Sequence, residues 1–204
     1  MGALFSKFLK KNTIRIVLVG VENAGKTSTM MRVLQIMSGN KKDDINFGSF
    51  PSTIGLNRGE CNMFGRKCML LDMGGQASFR MSWGDHFTQA RAVLFVLDGA
   101  DMEKYDEAKE EFLRIAMDPD LADMPLMLFI NKSDLLDCAS FEQVVHDFGL
   151  DGAAWVSHRQ FRVMRGSALE GDGVFSLFRW LVTAAAKAHT KHKQETGDRA
   201  RILS

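Results

Sequence analysis

The sequence predicts an α/β fold, a mainly parallel sheet covered by helices on both faces, and three observations carry that prediction. Apolar runs of strand length alternate along the chain with segments of helical period. Several of the runs are apolar without a break, which is the pattern of strands buried on both sides. The composition, 46% hydrophobic and 25% charged over 204 residues, is that of one soluble globular domain.

The series opens with the strand Ile-Arg-Ile-Val-Leu-Val at residues 14–19, followed by Met30, Val33, Leu34 and Met37 on one helical face. Residues 68–71 form a second apolar run. Residues 92–97 form the next strand, and Tyr105, Ala108, Phe112 and Ile115 mark the helix after it. Residues 126–130 precede the helical spacing of Phe141, Val144, Val145 and Phe148. A last strand near 161–164 precedes Val174, Leu177, Phe178, Leu181 and Val182. Two segments fall outside the pattern. Residues 38–50 are polar, contain glycine and are expected as an exposed loop, and residues 190–204 are polar and charged and are expected as a frayed tail.

Composition also excludes several classes. Three prolines and 18 glycines rule out a collagenous or proline-rich chain, and no apolar run approaches the roughly 20 residues that cross a bilayer. Cys61, Cys68 and Cys138 lack paired ligand spacing, so neither a disulfide framework nor a zinc site is implied and a reducing cytosol is the expected home. Residues 1–20 carry Lys7, Lys10, Lys11 and Arg15 and no acid, and residues 187–204 carry five Lys/Arg against Glu195 and Asp198. The whole chain is only +1, so the body between is acidic. Basic ends on an acidic body point to termini that meet an anionic surface, not to a nucleic-acid groove, with ordinary solvated tails as the alternative.

The chemistry begins directly after the first strand. Gly20-Val21-Glu22-Asn23-Ala24-Gly25-Lys26-Thr27 matches the phosphate-loop pattern of Gly, four residues, then Gly-Lys-Ser/Thr. A strand ends, the backbone turns with its N–H groups toward phosphate oxygens, and a helix starts whose dipole adds to the field. Lys26 is placed for the β- and γ-phosphates and the Thr27 hydroxyl for Mg²⁺. Asn131-Lys132-Ser133-Asp134 follows an apolar strand, where an aspartate can accept the N1–H and exocyclic amine of guanine; a buried carboxylate left unpaired rejects adenine. Ser167-Ala168-Leu169 follows the last strand, and a small residue there lets a backbone N–H approach the guanine carbonyl oxygen. Asp72-Met73-Gly74-Gly75-Gln76 ends a strand, with Thr53 upstream in Pro51-Ser52-Thr53-Ile54-Gly55. Asp72 can hold a metal-bound water, the Gly75 N–H can reach a γ-phosphate, Thr53 can complete the metal shell, and Gln76 can orient an attacking water. Contacts that exist with GTP and vanish with GDP make a switch.

As an ordered set these motifs resemble the small GTPases, and within them the Arf and Arf-like family. Gly-Gly-Gln in the second switch, Pro-x-Thr-Ile-Gly in the first, and Glu22 in the phosphate loop carry the likeness, which runs from Met1 to about Ala185. The resemblance implies a P-loop small G domain at residues 13–188 with a six-stranded, mainly parallel sheet, an N-terminal amphipathic membrane-binding helix at 1–12 and a basic polar tail at 189–204. It implies GTP/GDP and Mg²⁺ as cofactors, with nucleotide contacts from Glu22, Asn23, Ala24, Gly25, Lys26, Thr27, Ser28, Thr53, Gly75, Asn131, Lys132, Asp134, Ser167, Ala168 and Leu169. Thr27, Thr53 and, through water, Asp72 would serve the metal, and Gln76 catalysis. No arginine in the motifs is placed to stabilise the transition state, and Glu22 is expected to repel the γ-phosphate, so hydrolysis should be slow without an activating protein. A nucleotide-locked scaffold is the rival reading; Asn131 and Asp134 argue against a P-loop kinase or ATPase.

The N-terminus fits the same family. Met1-Gly2-Ala3-Leu4-Phe5-Ser6 matches the N-myristoylation pattern at Gly2, and Leu4, Phe5, Phe8 and Leu9 share a helical face beside Lys7, Lys10 and Lys11. Lys7 breaks the apolar stretch, which excludes a signal peptide. The family likeness implies a monomer that meets an exchange factor, an activating protein, GTP-state effectors and a membrane surface, without nucleic acid. The expected location is cytoplasmic and peripheral on endomembranes such as the Golgi, in vesicle or protein trafficking. Leu56, Leu71 and His86 stand where Arf proteins show an aromatic trio, so Arf effector sets do not carry over.

Overall fold

The computed structural model describes residues 13–39 and 50–202. The expected amphipathic helix with Gly2, and most of the expected loop at 38–50, lie outside the described residues.

Six strands among the described residues form one sheet: β1 (Ile14–Val19), β2 (Leu56–Met63), β3 (Arg66–Met73), β4 (Ala92–Asp98), β5 (Leu126–Asn131) and β6 (Phe161–Arg165), in the order β2-β3-β1-β4-β5-β6. β2 runs antiparallel to β3 and every other neighbouring pair is parallel. The unbroken apolar runs are the central strands, and every residue of β4 and β5 is buried. β2 is an edge strand, in which only Gly59 and Met63 are buried, so its sequence has no apolar run to betray it. The β2–β3 turn is Phe64-Gly65, both at positive φ (51° and 74°), the backbone of a two-residue hairpin turn that follows sheet twist.

Helix α1 (Lys26–Ser38) follows β1, and two short helices, α2 (Ala77–Arg80) and α3 (Trp83–Phe87), follow β3. The remaining helices are α4 (Tyr105–Ala116), α5 (Phe141–Asp147), α6 (Ala154–His158) and α7 (Val174–Ile202). The periodic residues of two helices face inward as predicted: Tyr105, Ala108, Phe112 and Ile115 of α4 are buried, as are Val174, Leu177, Phe178, Leu181 and Val182 of α7, whereas Phe141, the first residue of α5, is exposed and only Val144 and Phe148 of its set are buried. α4 carries Asp106 and Glu107 in its first turn, where the helix dipole favours acids. The Ser140 side chain caps α5 by accepting from the Gln143 N–H at 3.0 Å.

The expected frayed tail is corrected. Backbone helix α7 continues to Ile202 without a break. Residues 184–202 contain no proline and are dominated by Ala, Lys, Gln, Glu and Arg, so a helix nucleated by the buried turns at 174–185 propagates at little cost per residue.

Candidate functional site

The site forms at the carboxyl ends of β1, β3, β4, β5 and β6, where ligands bind to parallel sheets. β1 ends at Val19, residues 20–25 form the loop, and α1 starts at Lys26. The loop needs Gly25: its φ is +91°, and a Cβ there would lie 2.2 Å from Asn131 Nδ2. Asn23 also takes a positive φ, 61°, as does Lys132 at 66° in the base motif, a conformation that non-glycine residues keep where the surroundings impose it. Lys26 is buried, and its Nζ donates to the Val21 carbonyl at 2.8 Å. Burial pushes its pKa down to about 8, against the opposing pull of Asp72. A cleft of about 460 Å³ lies over this loop, lined by predicted residues including Glu22, Asn23, Gly25, Lys26, Thr27, Ser28, Thr53, Gly75, Gln76 and Lys132.

The proposed metal ligands meet. Thr27 Oγ1 donates to Asp72 Oδ2 at 2.6 Å, Thr53 Oγ1 lies 3.0 Å from Thr27 Oγ1 and donates to the same carboxylate oxygen at 3.2 Å, and Asn57 Nδ2 reaches it at 3.4 Å. Asp72 is fully buried, so desolvation raises its carboxyl pKa, opposed by those hydrogen bonds and by Lys26. Its other oxygen, Oδ1, has no hydrogen-bond partner among the described residues. A buried orphan carboxylate oxygen beside two hydroxyls fits a hard, oxygen-seeking cation that also takes phosphate oxygens and water, as Mg²⁺ does. Thr27, Thr53 and Asp72 would hold it, and it would neutralise phosphate charge.

The second switch lies against the loop. A Cβ on Gly75 would come within 2.5 Å of Lys26 Nζ and 2.6 Å of Glu22 N, so only glycine allows this approach. The Gly74 N–H donates to the Gly55 carbonyl at 2.8 Å, which ties the two switches together. Behind them, Trp83 Nε1 donates to the Gly74 carbonyl at 3.0 Å and Arg80 Nε to the Gly75 carbonyl at 2.8 Å.

At the other end of the site, Asn131 is a staple: its Nδ2 donates to the Ala24 carbonyl at 2.8 Å and its Oδ1 accepts from the Ala168 N–H at 2.9 Å. The Ala168 N–H is thereby engaged with protein. Lys132 pairs with Asp98, and Ser167 Oγ donates to Asp134 Oδ1, each at 2.5 Å. Asp134 is exposed and not the buried carboxylate expected from the sequence; it stands at the rim, and a base seated there is what would desolvate it. Leu169 is also half-exposed, and its backbone carbonyl accepts from Arg32.

Glu22 needs a further correction. Its carboxylate accepts from Lys104 Nζ at 3.0 Å, and that bond raises the Lys104 pKa, so the acid expected to repel the γ-phosphate is offset by a cation. Lys104 escapes sequence reading, as do Arg80 and Arg32. Arg32 is buried in α1; its Nε donates to the Ala168 carbonyl at 2.9 Å, its Nη2 to Leu169 and its Nη1 to Gln35 Oε1 at 2.6 Å, so the phosphate-loop helix holds the Ser-Ala loop. None of the three belongs to a motif, and no signal in one sequence could have found them.

Known proteins match the sequence and the fold over most of the chain. The sequence model of the Arf, or ADP-ribosylation factor, family matches residues 1–185. ADP-ribosylation factor-related protein 1 of Rattus norvegicus is 26% identical over 187 residues, 92% of this chain and 92% of that protein, and the Homo sapiens protein gives the same figures. The structure of the Arl6 BBS3 small GTPase from Trypanosoma brucei, with bound nucleotide analogue GppNp, superposes with a TM-score of 0.72 at 23% identity, covering 86% of this chain and 99% of that one. The phosphate loop, the metal-ready Asp72 and the base motif thus sit in the frame such proteins use, and the chain belongs to the ADP-ribosylation factor family of small GTPases, regulatory proteins that bind GTP and GDP with Mg²⁺.

Proposed function

We propose that this protein is a membrane-attached switch in vesicle or protein trafficking that hydrolyses GTP slowly alone and is driven round its cycle by an exchange factor and an activating protein. The observation that carries the reading is the meeting of both switches on the phosphate loop: Thr53 reaches Thr27 and Asp72, and Gly75 abuts Lys26. Those contacts suit a γ-phosphate and would lose their purpose with GDP. Gln76 lines the same cleft, which favours a cycling enzyme over a nucleotide-locked scaffold. Among the described residues, those that line the cleft include no arginine, so an external group would supply transition-state charge.

The membrane step rests on the Gly2 signal and the amphipathic segment behind it. A groove of about 500 Å³ between the β2–β3 turn and α7, lined by Phe64, Arg66, Val182, Thr183, Ala186 and Lys187, supports it by offering room beside the hairpin for a short apolar segment. One myristoyl chain gives only about 10⁴ M⁻¹ of membrane affinity, so hiding or releasing the adjacent apolar face decides attachment. The expected place is the cytoplasmic side of endomembranes such as the Golgi. Flotation of the myristoylated protein with liposomes, loaded with GDP or with a slowly hydrolysed GTP analogue, tests this. Flotation in the GTP-analogue state alone is expected, and identical partitioning in both states would reject the coupling.

A further inference from the structure

The two switch glycines are held from behind by side chains, and peptide geometry turns that into an aiming device. A trans peptide is planar, with its N–H opposite its C=O. Trp83 holding the Gly74 carbonyl therefore directs the Gly75 N–H away from Trp83, and Arg80 holding the Gly75 carbonyl directs the Gln76 N–H away from Arg80. Gly75 and Gln76 both line the nucleotide cleft.

Arg80 is itself anchored. It is 7% exposed, and its Nη1 lies 2.9 Å from Glu107 and 3.4 Å from Glu111, while Glu111 also accepts from Arg114. Glu107 and Glu111 are four apart on α4 and share a face. Lys104, immediately before that helix, holds Glu22 of the phosphate loop. The first two turns of one helix and the residue before it thus brace the phosphate loop with a cation and the second switch with two acids.

We propose that Arg80 is a positioning residue for the triphosphate state, holding the Gly75–Gln76 peptide against the phosphate loop from its anchor on Glu107 and Glu111. The proposal rests on the switch reading above and adds to it the part that sets the second switch. The role needs a planar fork, since Nε takes the carbonyl while Nη1 takes the carboxylates, and a lysine cannot do both. GDP lacks the phosphate that the neighbouring Gly75 N–H is placed to reach, so the effect is confined to the triphosphate.

The test measures affinities for GDP and for a non-hydrolysable GTP analogue, together with single-turnover GTP hydrolysis, in wild type, Arg80→Met, Arg80→Lys and the double variant Glu107→Gln/Glu111→Gln. Arg80→Met should lower GTP-analogue affinity relative to GDP about tenfold, with hydrolysis slowed and GDP affinity within about twofold. Arg80→Lys, which keeps the charge, and the double variant, which keeps the carbonyl bond, should fall between. A wild-type ratio and rate in Arg80→Met would overturn the proposal. Should Arg80→Met lose GDP binding through misfolding, the double variant decides by the same ratio, and no change there overturns it. A wild type that neither separates the two nucleotides nor hydrolyses GTP would instead sink the switch reading, independently of Arg80.

Discussion

At the base end of the cleft, Asn131 and Arg32 are 2% and 3% exposed; they bond the backbone of Ala24, Ala168 and Leu169, and Arg32 also bonds the Gln35 side chain. At the phosphate end, Thr53 and Asn57 converge on one oxygen of Asp72 from a partly exposed segment, and the second switch hangs on Trp83 and on an arginine paired to a half-exposed glutamate. At the first end, Asn131 and Arg32 are tied by bonds within the protein. Among the described residues, the second leaves a buried carboxylate oxygen without a hydrogen-bond partner and a buried lysine that donates to its own loop. Recognition of the base therefore rests on a framework that stays put, while response to the third phosphate rests on groups whose contacts are worth most with the ligand present.

Substitutions can break this contrast, and the largest effect belongs to the rigid end. Asp134→Asn should lower guanine-nucleotide affinity about a thousandfold and raise relative affinity for xanthine nucleotides, measured by competition. A fall equal for both bases would move base choice elsewhere. Arg32→Met should cost about 3 kcal/mol of stability in urea denaturation and speed GDP and GTP release alike, because it unties the Ser-Ala loop whatever the phosphate count. Thr53→Ala should do the opposite in kind: about thirtyfold weaker binding of a GTP analogue with GDP binding unchanged, read by titration. Loss of both nucleotides would show that the phosphate end is as preformed as the base end.

The smallest effect sharpens the contrast through pH. Lys26 has a pKa of about 8 in the folded protein, below its ordinary value, and phosphate binding requires its charged form. Nucleotide affinity should thus fall about tenfold between about pH 7 and pH 9 as binding must take up a proton. The nucleotide-free protein shows the reverse sign. Above pH 8 its folded state holds fewer protons than the unfolded chain, so Lys26 makes folding more favourable as pH rises toward the ordinary lysine value. Calorimetry in buffers of different ionisation heat measures the proton uptake.

Much of this frame was legible in sequence because its parts are local. β4 and β5 read as continuous apolar runs since both faces are covered, and α4 and α7 announced their buried faces by spacing. β2 was legible only through the family likeness; as an edge strand it needs no apolar pattern. α2 and α3, at four and five residues, are too short to show a period. The motif residues declared themselves by chemistry at fixed offsets. Their supports did not, since Arg32 meets its loop 136 residues away and Lys104 meets Glu22 at a separation of 82. An arginine on a helix reads as a solvated surface until the fold brings a carbonyl to it.

The Lys104–Glu22 and Arg80–Glu107 pairs each have a carboxylate at least one-third exposed, whereas all but one of the bonds that Asn131 and Arg32 make are buried. Mobile ions screen the first kind and leave the second alone: the Debye length shrinks from about 8 Å at physiological ionic strength to roughly 3 Å at 1 M. Concentrated salt therefore acts on this molecule unevenly. It relaxes the brace around the third phosphate while guanine remains held, so that ionic strength alone can uncouple what the protein binds from which state it adopts.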